Sequence, residues 1–181
     1  GSSWINMTLD GNWQGVDNVG EYVSLQLDSG NWPHIAYYNA TAGDLMYMYN
    51  DGSAWYKSTA YSTNNVGAHA SLSLDSNDNA HIAHYNMQFQ NLMYTNFGEG
   101  NWTTEPVDSV GRVGEYCAIA IDANDSPHIA YVDRDNGGAI KYAHKNQSWN
   151  FVEIDEEGEF ISIDIDTQNS CLLYTSPSPR D

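Results

Sequence analysis

Along most of this chain, apolar and polar residues alternate in short bursts. Tyr22-Val-Ser-Leu-Gln-Leu-Asp28, His69-Ala-Ser-Leu-Ser-Leu-Asp75 and Tyr116-Cys-Ala-Ile-Ala-Ile-Asp122 each keep a period of two, which is the pattern of a β-strand with two distinct faces. Turn-forming runs rich in Asn, Asp and Gly follow, among them Ser29-Gly-Asn-Trp32 and Ser76-Asn-Asp-Asn79. Second strands then begin at Pro33-His-Ile-Ala-Tyr-Tyr-Asn39, Ala80-His-Ile-Ala-His-Tyr-Asn86 and Pro127-His-Ile-Ala-Tyr-Val-Asp133. A proline at the first position of a strand removes no ladder hydrogen bond. Third strands are expected at Leu45–Tyr49, from Leu92 onward and at Ile140–Ala143, and fourth strands run from the tryptophans to about Tyr61, Val107 and Ile154. Helical blocks of Ala, Glu, Lys and Leu are nearly absent, so the pattern predicts an all-β protein.

These strands belong to an internal repeat of 47 residues. Val19-Gly20, Val66-Gly67 and Val113-Gly114 recur at that step, as do Asp28, Asp75 and Asp122, the histidines His34, His81 and His128, and the tryptophans Trp55, Trp102 and Trp149. Four short strands per unit is the size of one propeller blade. Apolar residues on both strand faces suit a sheet sandwiched between neighbouring sheets. Ala36, Ala83 and Ala130, small in every copy, would let adjacent sheets approach closely. The expected organisation is a β-propeller fragment. Residues 1–18 carry the last strand of a preceding blade, with Trp4–Leu9 as that strand, and a linker; 19–65, 66–112 and 113–158 are three blades of four antiparallel strands; 159–170 open a fourth. Propellers close with typically 4 to 8 blades, so this number predicts an open arc that self-associates through exposed sheet edges.

The units resemble the tandem V-G-x-Y-x-S-L-x-L-D…P-H-I-A-Y-Y-D repeats of bacterial and archaeal secreted or surface proteins, which are similar to sialidase-like (BNR-type) β-propellers. That resemblance covers about residues 19–166 and implies the fold more than an activity. The sialidase pattern departs at two points. Asn50, Phe97 and His144 stand where an Asp box would place Asp five residues before the Trp. Arg112 and Arg134 are the only arginines before residue 171, too few for the guanidinium cluster that grips a carboxylate. Residues 171–181, Cys171-Leu-Leu-Tyr-Thr-Ser-Pro-Ser-Pro-Arg-Asp181, resemble a translated transposase adapter used in sequencing libraries. They are read as a non-native tail and set aside from the fold.

The 181 residues are 41% apolar, enough for a packed core, with 13 Tyr and 6 Trp. Asp and Glu (24) far outnumber Lys and Arg (6), giving a formal net charge of −18. Such a surface repels phosphate backbones and anionic lipids, which argues against nucleic-acid binding and membrane association. No apolar run is long enough to span a bilayer. The pair Cys117 and Cys171 builds no disulfide scaffold, and Cys117, within an alternating apolar run, reads as a buried free thiol.

The chemistry the sequence offers is that of binding. In an up-and-down sheet the loops between blades and those joining second to third strands share one face, and this face supplies the candidate ligand-binding residues. They are Glu21, Tyr22, His69, Glu115 and Tyr116 from the first loop class and Asn39, Asn86, Asp133 and Arg134 from the second. No catalytic residue is assigned, since no nucleophile elbow or Cys/His pairing appears. The histidine triplet is expected to serve packing or turn hydrogen bonding rather than zinc, and the tryptophan triplet blade-edge packing rather than a sugar platform. The aspartate-rich turns Asp75–Asn79 and Asp122–Ser126 alternate oxygen ligands as calcium sites do, but lack the glycine and distal glutamate of an EF-hand loop. Asx-turn chemistry accounts for them, and no cofactor is expected. The resulting expectation is a non-catalytic binding or scaffolding module, extracellular or at the cell surface, for a glycan or protein ligand. The alternative is a piece of a glycan-active enzyme, a sialidase-like hydrolase or polysaccharide lyase.

Overall fold

The computed structural model describes residues 6–11, 17–155, 158–166 and 170–176. Three successive stretches fold as four-stranded antiparallel meanders in chain order. The first comprises β1 (Val19–Leu27), β2 (Pro33–Asn39), β3 (Asp44–Asn50) and β4 (Trp55–Tyr61). The second comprises β5 (Val66–Leu74), β6 (Ala80–Asn86), β7 (Asn91–Gly98) and β8 (Asn101–Asp108), and the third β9 (Val113–Ile121), β10 (Pro127–Asp133), β11 (Ala139–Lys145) and β12 (Trp149–Asp155). A fourth, two-stranded sheet pairs β13 (Glu159–Ile165) with β14 (Cys171–Ser176). The first strands β1, β5, β9 and β13 follow one another in space, so the sheets stack face against face around their inner edges. This is the all-β, propeller-type architecture that the repeat predicts.

The core lies in the seams between sheets. Ala36, Leu45 and Tyr47 of the first sheet meet Leu72, Ala80 and Ile82 of the second. Ala83, Leu92 and Tyr94 of the second meet Val113, Ile119 and Ile129 of the third. Ala36, Ala83 and Ala130 are fully buried, as their small size anticipates. Cys117 is buried too, its thiol donating to the His69 carbonyl at 3.1 Å, and burial pushes its pKa up to about 12.

Each seam is registered by the same contacts. The amide of Val66 donates to the Gly43 carbonyl and that of Val113 to the Gln90 carbonyl. On the inner strands Leu72 N donates to Ser24 Oγ (2.9 Å) and Ile119 N to Ser71 Oγ (3.1 Å). At the turns, Ser29 N and Oγ donate to the two carboxylate oxygens of Asp78, and Ser76 repeats the arrangement with Asp125. The Val-Gly dipeptide has a steric origin. Gly67 and Gly114 both sit at φ +104°, and a Cβ there would lie 2.8 Å from Leu45 Cα or 2.7 Å from Leu92 Cα. Gly20 has a similar φ, +86°, yet open space around it, because no described sheet packs against it.

The structure refines the expected first strands. Each contains a β-bulge, with pairing shifts between Glu21 and Ser24, between Ala68 and Ser71, and between Glu159 and Ser162. The bulge residue is non-glycine with positive φ: Tyr22 (52°), His69 (53°), Tyr116 (51°) and Phe160 (53°). Strict alternation therefore holds only beyond it. Of the expected Trp4–Leu9 strand, Trp4 and Ile5 lie outside the described residues; Asn6–Leu9 carry no regular structure, with Leu9 packed beside Tyr37, Met46 and Met48. Residues 171–176, set aside on sequence grounds, pair with β13 from Ile165↔Cys171 to Glu159↔Ser176, and Leu173 packs near Ile163. On β1, an edge strand of the first sheet, Val23, Leu25 and Leu27 are each more than half exposed.

His84 occupies the position that Tyr37 and Tyr131 hold in the other sheets. It is fully buried; Nε2 bonds Thr95 Oγ1 at 2.9 Å and Nδ1 has no partner. Burial lowers its pKa to about 3, and also lowers those of His69, His81 and His128.

Two predictions follow from these packing details. Gly67→Ala adds a left-handed alanine and a backbone clash, an expected loss of about 2–4 kcal/mol, whereas Gly20→Ala pays the conformational term alone, about 1–2 kcal/mol. Urea midpoints of the two variants test the difference, and equal losses would refute the steric account. Because the folded state holds these histidines neutral, the unfolded chain binds more protons. Stability is fully present above pH 6.5 and falls as pH drops toward 3, by up to about 1.4 kcal/mol per pH unit for one histidine. His84→Phe should make that fall shallower between pH 6.5 and 4.5; an unchanged slope in urea titrations counts against it.

Candidate ligand-binding site

The seam between the first and second sheets opens into a cleft of about 430 Å³. Its wall is aromatic. Trp102 at the start of β8 meets Tyr47 of β3 edge to face, ring centroids 5.0 Å apart, and meets Phe97 of β7 at 5.1 Å. Tyr49 continues the wall and stacks on Tyr56 at 5.2 Å. Polar groups complete the lining: His34 of β2, Ser58 of β4 and Asp78 of the β5–β6 turn. The Trp102 indole N–H donates to Ser58 Oγ at 3.3 Å, a bond across the seam.

The local sequence explains why these side chains are held. Asp28 caps its own turn, Oδ1 accepting from Gly30 N (2.8 Å) and Trp32 N (2.7 Å), while Oδ2 faces His34 Nε2 at 3.4 Å. His34 Nδ1 in turn bonds the Tyr47 hydroxyl at 2.5 Å. Asp75, His81 and Tyr94 repeat the chain, as do Asp122, His128 and Tyr142. The histidine triplet thus carries turn-to-strand hydrogen bonding, one ring per sheet. Burial raises the pKa of the Tyr47 and Tyr94 hydroxyls well above the ordinary phenol value. The turn aspartates accept backbone amides in the Asx pattern, Asp75 Oδ1 from Asn77 N and Asn79 N, Asp122 Oδ1 from Asn124 N and Ser126 N.

The nine residues singled out by sequence lie elsewhere, at the opposite ends of the strands, and divide into two groups. Tyr22, His69 and Tyr116, joined by Phe160, form a continuous row of rings across the inner strands, with centroids 4.5, 4.7 and 5.3 Å apart. Glu115 and Arg134 stand beside it. Arg134 Nε donates to Glu115 Oε2 at 2.8 Å, and the guanidinium lies 5.2 Å from the Tyr116 ring centre. Glu21 accepts from the Asn18 side chain at 2.6 Å. Asn39, Asn86 and Asp133 instead cap the β2–β3, β6–β7 and β10–β11 turns: their Oδ1 atoms accept from Ala42 N, from Gln88 N and Phe89 N, and from Asn136 N. Asn86 is buried, which leaves its side chain to the turn.

None of the nine lines the cleft. The signal that could have found it was the tryptophan triplet. Trp102 does pack at the blade edge, as expected, and the same ring also walls the cleft.

No family model matches the chain, and no curated protein matches it in sequence. Solved structures do. A triple arginine-to-alanine mutant of AofleA from Arthrobotrys oligospora shares 13% identity at a TM-score of 0.62, over 89% of this chain and 54% of that one. A fucose lectin from Kordia zhangzhouensis, in complex with methyl-fucoside, shares 18% identity at a TM-score of 0.48, over 74% of this chain and 99% of that one. The chain thus spans about half the length of the AofleA structure, a likeness of fold.

Proposed function

We propose that this chain is a glycan-binding β-propeller module that takes a neutral saccharide in the cleft between its first and second sheets. The observation that carries the reading is the cleft's two-sided chemistry. A sugar ring has an apolar C–H face and a rim of hydroxyls. Trp102, Tyr47, Tyr49 and Phe97 offer an apolar aromatic wall; Asp78, His34 and Ser58 offer polar groups at its margin. Asp78 gives one acceptor site on each oxygen to Ser29, which leaves lone pairs for hydroxyl donors and fixes the carboxylate's direction. The cleft's size falls within the range of small-ligand sites. A net charge of −18 disfavours acidic sugars, hence a neutral one.

Binding is favoured over hydrolysis by the acid count. Asp78 is the one carboxylate among the described residues lining the cleft, and glycoside hydrolysis uses two across the scissile bond. We extend the proposal to location: a glycan-binding module with this acidic surface belongs outside the cell or on its surface.

The test is a neutral-glycan array, fucosides included, followed by calorimetry on whatever is retained. Trp102→Ala should weaken the retained glycan at least tenfold, because it removes the central ring of the wall. Phe89→Ala, in the β6–β7 turn at the other strand ends, should bind like the parent. An array with nothing retained, or a folded Trp102→Ala variant of undiminished affinity, would overturn the assignment.

A further inference from the structure

The second seam, between the second and third sheets, is built on the same frame as the first. Tyr94 and Trp149 meet edge to face at 5.4 Å and 76°, as Tyr47 and Trp102 do at 5.0 Å and 73°. His81 and Asp125 stand at the places of His34 and Asp78. Two positions differ in chemistry at the mouth. Phe97 faces Trp102 across the β7–β8 register, and in the next sheet Lys145 faces Trp149 in the same way. Ser58 receives the Trp102 indole N–H; one repeat later Glu105 receives that of Trp149, at 3.1 Å.

Lys145 and Glu105 then pair with each other. The Lys145 ammonium lies 5.7 Å from the ring centres of both Tyr94 and Trp149. It therefore puts a charged group over these rings at the place where, at the first seam, the Phe97 ring packs on Trp102 and completes an apolar wall. A saccharide entering here would have to displace an ammonium held by a carboxylate and two aromatic faces.

Resting on the glycan reading above, we propose that Lys145 and Glu105 are an internal plug. The chain carries one open saccharide cleft across its two complete seams, and the residue pair at the mouth, Ser58 with Phe97 or Glu105 with Lys145, decides whether a seam binds. A third difference modulates the outcome. Asn96, which accepts from Thr103 Oγ1 at 2.7 Å, replaces Tyr49, so an unplugged second seam has a shorter wall and a weaker grip.

The plug is open to mutation because both partners are partly exposed, and exposed ion pairs contribute little to folding. Calorimetry of the parent with the glycan retained on the array should give one site per chain. With the first cleft disabled by Trp102→Ala, adding Glu105→Ser and Lys145→Phe should restore binding within about tenfold of the parent, and Asn96→Tyr should strengthen it further. The reciprocal pair Ser58→Glu with Phe97→Lys, in the parent background, should abolish binding. Circular dichroism checks that each variant is folded. A parent that binds no glycan refutes the glycan reading itself. A parent that binds two per chain, or a folded unplugged variant that regains nothing while the parent binds one, overturns the plug alone.

Discussion

The constraint on which this architecture depends is the close approach of each inner strand to the sheet before it. At Gly67 and Gly114 the backbone passes so near the third strand of the preceding sheet that a β-carbon would collide with Leu45 or Leu92. The valine before each glycine anchors the approach by donating its amide to a carbonyl of the preceding β2–β3 or β6–β7 turn. With the sheets drawn this close, the small residues Ala36 and Ala83 become obligatory, and Leu45, Leu92, Ile82 and Ile129 interdigitate to fill the seam. A side chain longer by one methylene on either wall would have to move a strand.

The same approach explains why the mouth of a seam can vary without disturbing the fold. The Asp–His–Tyr chain and the Tyr–Trp edge contact are buried or half-buried, repeat in successive sheets and hold the seam's lower wall. The residues at the mouth have solvent on one side, so their chemistry changes from Phe97 and Ser58 to Lys145 and Glu105 at small cost in packing. A repeated scaffold with variable rims lets neighbouring seams differ at the mouth: Phe97 and Ser58 flank the cleft of the first, and the Lys145–Glu105 pair stands at the second.

Much of the fold was legible in the residues. The step of 47 residues marks the sheet repeat, Pro33–Asn39 is β2 residue for residue, and the turn aspartates do accept the amides that Asx chemistry requires. The bulges were not legible. Tyr22, His69 and Tyr116 look like ordinary members of alternating strands, and only the pairing with the neighbouring strand shows them turned into the left-handed region. As binding candidates these three did come together, in a row of rings. Asn39, Asn86 and Asp133 share their end of the sheets but are committed to the turns that hold them.

The sequence by itself determined what depends on one repeat at a time: strand order, turn chemistry and the turn hydrogen bonding open to the histidines. Those follow from local spacing and hydrogen-bonding capacity, which a linear pattern records. Only the tertiary structure decided where the open cleft lies. Its wall draws Tyr47 and Tyr49 from one repeat and Phe97 and Trp102 from the next. Which side chains meet at the mouth of a seam, Ser58 with Trp102 or Glu105 with Lys145, is a relation between repeats that does not exist until the sheets are stacked.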